Sequence, residues 1–250
     1  MAFRLYRQFK DAKFIDDPAI VHHIVKYNVL PTLAANTVVF CASMFFSPFF
    51  PRLDSGPYLW PLWTAIAVYF TVWISICSLA NKKKHQEIAL GLSFLGSFMT
   101  GYVQQPLVRY AMVALGDIVD VGRVFSIAVL SATLLLVAMA IVNAHFPKMF
   151  YALNSTRIMH WVLLFLLLSS VTWLWDLALH DFNLYLIIEP VIVIIVFGFY
   201  AIYDMGKLQI YIAEGKWVYG TVELMLDFFI LIIRFFALLT GSSSHSSSKR

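Results

Sequence analysis

Long apolar runs alternate with short polar breaks along almost the whole chain. The runs cover approximately 27–47, 59–80, 88–108, 124–144, 158–178, 182–203 and 218–239. Each is about 20 residues long, the length an α-helix needs to cross the ~30 Å hydrocarbon layer of a bilayer. The breaks carry turn and charge signals. SPFFPRLDSGPY has prolines 48, 51 and 57, and NKKKHQE has Lys82, Lys83 and Lys84. Gln104, Gln105 and Pro106 end or kink the third run. The pattern predicts an all-α polytopic membrane protein with seven transmembrane helices. A basic tail over 1–26 precedes a membrane domain over 27–240, and a flexible serine-rich tail covers 241–250.

Composition strengthens this picture. Of 250 residues, 61% are hydrophobic and only 13% are charged, which excludes an ordinary soluble domain. The net charge of +4 matters less than its placement. With alternate breaks on alternate faces, one side holds Arg4, Arg7, Lys10, Lys13, Lys26, Lys82, Lys83, Lys84, Lys148, Arg157, Lys207 and Lys216. The other holds Arg52, Arg109, Arg123, Lys249 and Arg250. Basic residues beside membrane spans report orientation, not nucleic acid, and this asymmetry places the N-terminus in the cytosol. The polar first 25 or so residues do not read as a cleaved signal peptide; they read as a tail with an amphipathic turn on the membrane face. Cys41 and Cys77 lie inside apolar runs, so neither a disulfide framework nor a cysteine metal site is expected.

The candidate chemistry lies in the last two runs. Asp204 closes the sixth, and a polar connector with Lys207, Gln209, Glu214 and Lys216 follows. Glu223 and Asp227 then appear inside the seventh. An acid at the centre of a membrane helix costs roughly 2.5–3.5 kcal/mol on insertion scales, so it is kept for a cavity, a bundle interior or a partner. Four residues apart, Glu223 and Asp227 share one helix face. Asp204 either caps a span end in the headgroup zone or meets Asp227; the second arrangement needs the seventh run to begin bent or unwound at Gly220. Two carboxylates in contact cannot both ionise cheaply and titrate as a coupled pair. A shared proton then latches the helices together, and its loss drives them apart. Carboxylates are also the hard oxygen ligands that Ca²⁺ takes, which makes Asp204 and Asp227 the candidate Ca²⁺ contacts. Glu189, early in the sixth run, faces either an aqueous vestibule or the headgroups. Lys207 and Arg234 either counter the acids or snorkel to an interface.

No catalytic constellation accompanies these residues. HExxH, GxSxG, P-loop and GxGxxG patterns are absent, and His22, His23, His85, His145, His160 and His180 are dispersed over the tail and the span ends. The chain is expected to be neither an enzyme nor dependent on a cofactor. Short connectors and mid-span acids argue against a seven-span receptor, and no convincing internal repeat points to a secondary transporter.

Three motifs give the last fifty residues a specific likeness: Tyr203-Asp204, Ala213-Glu214-Gly215, and Glu223-Leu224-Met225-Leu226-Asp227-Phe228. With LGLSFLGSFMTGYVQQPLV running to Pro106, Ser169-Ser170 and Asn183-Leu184-Tyr185, the chain resembles the Bax inhibitor-1 family, and most of all its eukaryotic endoplasmic-reticulum branch, over about residues 27–240. The resemblance implies seven helices with a central one surrounded by six. It implies a pH-sensitive Ca²⁺ leak of the endoplasmic-reticulum membrane that suppresses stress-induced cell death, with H⁺ and Ca²⁺ as its ions and apoptosis-regulating membrane proteins as partners. The family's paired aspartates fall on Asp204 and Asp227, and Glu223 stands where close relatives often have aspartate. Two departures stand out. The second run lacks the arginine that pairs with the aspartates in some members, and the stretch 183–204, with Glu189, is longer than in relatives. The alternative to a leak channel is a non-conducting membrane scaffold that acts on apoptosis through protein partners.

Overall fold

The computed structural model describes residues 18–53, 55, 59–145 and 185–247, and all regular structure among them is helical. Helix α1 (Pro18–Ile24) passes through one wide π-type stretch, Val25–Val29, into α2 (Leu30–Phe46). Pro31 explains the widening: it has no N–H for the carbonyl four residues back, and its ring crowds that carbonyl. Residues 18–26 are therefore continuous with the first membrane helix, not a separate turn on the membrane face; residues 1–17 of the expected tail lie outside the described residues. Helix α3 (Trp60–Ala80) matches the second apolar run to within a residue. The third run is two helices, α4 (Gln86–Val103) and α5 (Gln105–Leu115), broken at Gln104 with Pro106 in the first turn of the second. A proline there loses nothing, because a first-turn N–H has no partner. Gly116, at φ +77°, closes α5.

Helix α6 (Ile118–His145) starts six residues before the predicted 124, so Asp120 and Arg123 lie on its first turns. The fifth run, 158–178, falls outside the described residues, as does the start of the sixth. Helix α7 (Tyr185–Ala213) continues well past the predicted end at 203, and α8 (Trp217–Ser247) follows after a three-residue turn.

The outer surface is apolar. Along α6, Ile127, Leu130, Leu134, Val137 and Ile141 recur every three or four residues and are each more than half exposed, while the inward Ala128 and Ala132 are fully buried. This inverts the pattern of a soluble helix. Among the described residues, four stretches are long and apolar enough to cross a membrane: Ile20–Phe49, Trp60–Ala80, Ile118–His145 and Glu189–Ala213. The chain is a polytopic integral membrane protein.

Helix α8 is the exception among the long helices. It carries Glu223, Asp227 and Arg234, yet Asp227 and Arg234 are buried and Glu223 is only partly exposed. It packs against every helix from α2 to α7. Phe229 stacks on Phe40 of α2 with ring centroids 4.3 Å apart, and Phe236 meets Phe125 of α6 edge-on at 5.5 Å.

In lipid, helices associate through close packing, because tails are as apolar as leucine. Two of the three glycines of α4 supply it. A Cβ on Gly96 would lie 2.8 Å from Ile76 of α3, and one on Gly101 would lie 2.5 Å from the Phe40 carbonyl oxygen and 2.7 Å from the Met44 nitrogen of α2. A spacing of five residues turns the two glycines to different neighbours, so the run joins three helices at once. Gly91 faces open space. Gly101→Ala is expected to destabilise the fold by about 1–3 kcal/mol, since the obstruction is backbone and cannot swing away. Gly91→Ala is expected to stay within about 0.5 kcal/mol of the parent. Thermal unfolding in detergent checks both.

Candidate functional site

The turn between α7 and α8 sets the site. Gly215 sits at φ +69°, its N–H bonds the Ile212 carbonyl at 3.0 Å, and the Lys216 N–H bonds the Tyr211 carbonyl at 2.6 Å. This is a Schellman ending, which places glycine at the left-handed position. Gln86, at the start of α4, clamps the turn from outside. Its amide nitrogen donates to the Gly215 carbonyl, and its oxygen accepts from the Val218 N–H at 3.3 Å.

A reversal this tight fixes which residues of the two helices stand level. Asp204 lies eleven residues before Gly215 and Asp227 twelve after it; Lys207 and Glu223 each lie eight away. At 1.5 Å per residue both pairs match in height, roughly 17 Å and 12 Å from the turn. Gly220 lets the helices close, since a Cβ there would meet Leu208 at 2.8 Å and Tyr211 at 3.0 Å.

The expected meeting of Asp204 and Asp227 is present, but by a different route. No unwinding occurs at Gly220, which lies in regular helix. Asp204 does not close a span, and Lys207 and Gln209 are helical, not connector. The extra turns of α7 bring Asp204 opposite Asp227. The two carboxyl groups are in hydrogen-bonding contact, and both side chains are buried. Lys207 reaches Asp204 Oδ1 at 3.6 Å and Glu223 Oε2 at 3.7 Å, and its ammonium lies 4.2 Å from the Tyr203 ring centroid. The Tyr211 and Tyr219 side chains flank Glu223, their rings edge-to-face at 4.9 Å. Asp227 Oδ2 has no hydrogen-bond partner. Ionised carboxylates only accept, so two of them in contact need a proton between them.

Three acids thus meet one lysine, and the described residues bring no other cation to them. Lys207→Gln is expected to lower stability by about 1–3 kcal/mol, discounted for the lysine's partial exposure. The loss should be larger in alkaline than in acid solution. Bound protons replace the missing charge at low pH and leave as pH rises. Melting temperatures at two pH values check the sign.

Glu189 and Arg234 stand apart from this cluster. Arg234 Nη1 lies 2.9 Å from Glu189 Oε2, with side chains only 3% and 5% exposed. Arg234 neither snorkels to an interface nor counters the aspartates, and Glu189 faces neither vestibule nor headgroups. Each counters the other inside the bundle.

Sequence reasoning missed several polar contributors. Gln86 holds the turn. Fully buried Asn36 accepts from Ser93 at 3.2 Å and Ser97 at 2.8 Å and donates to the Thr32 carbonyl at 3.0 Å. Fully buried Gln105 accepts from the Leu53 N–H at 2.6 Å and donates to the Ser47 carbonyl at 2.6 Å, folding the segment after α2. The one available signal was Ser93 and Ser97, four apart on a single face of an otherwise apolar run.

Comparison with protein families, with curated proteins and with solved structures finds no match for this chain. Among the described residues no three His, Cys, Asp or Glu side chains converge to hold a metal ion. Resident Ca²⁺ takes six to eight oxygens. Asp204 and Asp227 offer only part of such a shell.

Proposed function

We propose that this chain is a pH-sensitive Ca²⁺ leak channel of the Bax inhibitor-1 type, resident in the endoplasmic-reticulum membrane and suppressing stress-induced apoptotic death. In this reading seven helices cross the bilayer, with α8 at the centre of six others. The observation that carries it is the contact of Asp204 with Asp227 on the buried face of the most deeply packed helix, with Lys207 as incomplete compensation. The buried, charge-bearing α8 supports the central placement.

The chemistry follows from charge. With one proton between them, the aspartates bond and hold α7 against α8. Without it, two charges about 4 Å apart repel by roughly 4 kcal/mol at an effective dielectric of 20, enough to part the seam. The exposed carboxylates then offer oxygens to Ca²⁺, which is cargo here and not a cofactor. Loss of the proton opens the path, so flux rises with pH. The turn at Gly215 lies against Lys83, which gathers Lys82, Lys83, Lys84 and Lys216 on one face. That grouping supports a cytosolic location for this end and for the N-terminus.

The test is Ca²⁺ flux across liposomes holding the purified protein, over roughly pH 5 to 8. Flux that climbs with pH is the expected result. Folded, monodisperse protein that moves no Ca²⁺ at any pH would overturn the channel reading in favour of the non-conducting scaffold.

A further inference from the structure

The seam between α7 and α8 carries two charged tiers. The first is the cluster of Asp204, Lys207, Glu223 and Asp227; the second is the Glu189–Arg234 pair at 2.9 Å, almost completely buried. Both tiers lie along the same line. At about 100° per residue, Asp227 and Arg234 are seven positions apart and differ by only about 20° around α8. Glu189 and Lys207 are eighteen positions apart, five whole turns of α7. Between the tiers the seam is apolar, with Val193, Ala201 and Leu231 buried.

A cation that leaves the acid cluster along this seam next meets Arg234. A guanidinium does not deprotonate in proteins, so its barrier to a divalent cation is lowered only by an opposite charge held beside it. Glu189 provides that charge at hydrogen-bond distance.

We infer that Glu189 determines ion selectivity: by neutralising Arg234 it lets cations pass the second tier. The inference rests on the conducting reading above. A pair that merely pinned α7 to α8 would influence stability, but not which ion crosses.

The readout is the Ca²⁺ to Cl⁻ permeability ratio, from reversal potentials of the reconstituted protein. Four proteins span the charge of the tier: relative to wild type, Glu189→Gln is one unit more positive, Arg234→Gln one unit more negative, and Glu189→Gln/Arg234→Gln unchanged. Glutamine retains hydrogen-bonding capacity at either position. The ratio is expected to fall on the order of tenfold in Glu189→Gln and to rise in Arg234→Gln. In the double variant it should return to within about threefold of wild type. Either single variant against wild type suffices if the other fails to fold. A conducting wild type with the same ratio in every folded variant overturns this inference alone. A wild type that conducts nothing overturns the channel reading, and this inference with it.

Discussion

Arg234→Ala is expected to destabilise the protein by about 3–5 kcal/mol, the largest loss of any single substitution considered. Glu189 would keep its charge in a site only 5% exposed, with the partner at 2.9 Å removed. The truncation also removes the packed aliphatic stem of the arginine. Most of the penalty is the lost counter-charge of a buried carboxylate and not the worth of the pair. It follows that Glu189→Leu/Arg234→Met, which removes both charges at similar volume, should recover most of the stability. Thermal unfolding in detergent, with the monodisperse fraction after purification, measures both variants. An Arg234→Ala protein within about 0.5 kcal/mol of wild type would contradict the assignment of a buried ion pair.

Asp227→Asn is expected to remove the pH response and hold flux near its acid-side minimum, on the order of tenfold below wild type at alkaline pH. The reason lies in the contact itself. An asparagine amide donates to the Asp204 carboxylate without any shared proton. It reproduces the closed pair at every pH, and the remaining charge of Asp204 still has Lys207 at 3.6 Å. Stability should change in the opposite sense to Lys207→Gln: the gain over wild type grows as pH rises, because only wild type then suffers repulsion between the aspartates. A flux profile superimposable on wild type would show that the pair does not gate.

The sequence was most legible where apolar content and punctuation agreed. Helix α3 was bounded by a proline turn before it and by Asn81 and three lysines after it, and its ends were placed to within a residue. The end of α7 differs from the expected 203 because Lys207 and Gln209 look like connector yet are helical. The contrary signal was periodic: Leu208 and Ile212 continue the buried face of the helix and pack beneath the turn. Once those turns are restored, the meeting of Asp204 with Asp227 follows from their near-equal distance to Gly215. The acids themselves were legible because charge inside an apolar run is rare. The partnership of Glu189 with Arg234 was not, since no local period links residues forty-five positions apart. The π-type stretch before Pro31 and the wrapping of Gln105 around residues 47–53 also depend on three-dimensional contacts that pattern alone does not encode.

The proposed gating rests on the proton shared between Asp204 and Asp227, and infrared difference spectroscopy of the protein in lipid, titrated alongside Ca²⁺ flux, tests it most directly. The expected result is a protonated-carboxyl band at low pH that fades across the same window in which flux rises and is absent from Asp227→Asn. A band unchanged in Asp227→Asn, or one that persists while flux rises, would contradict it.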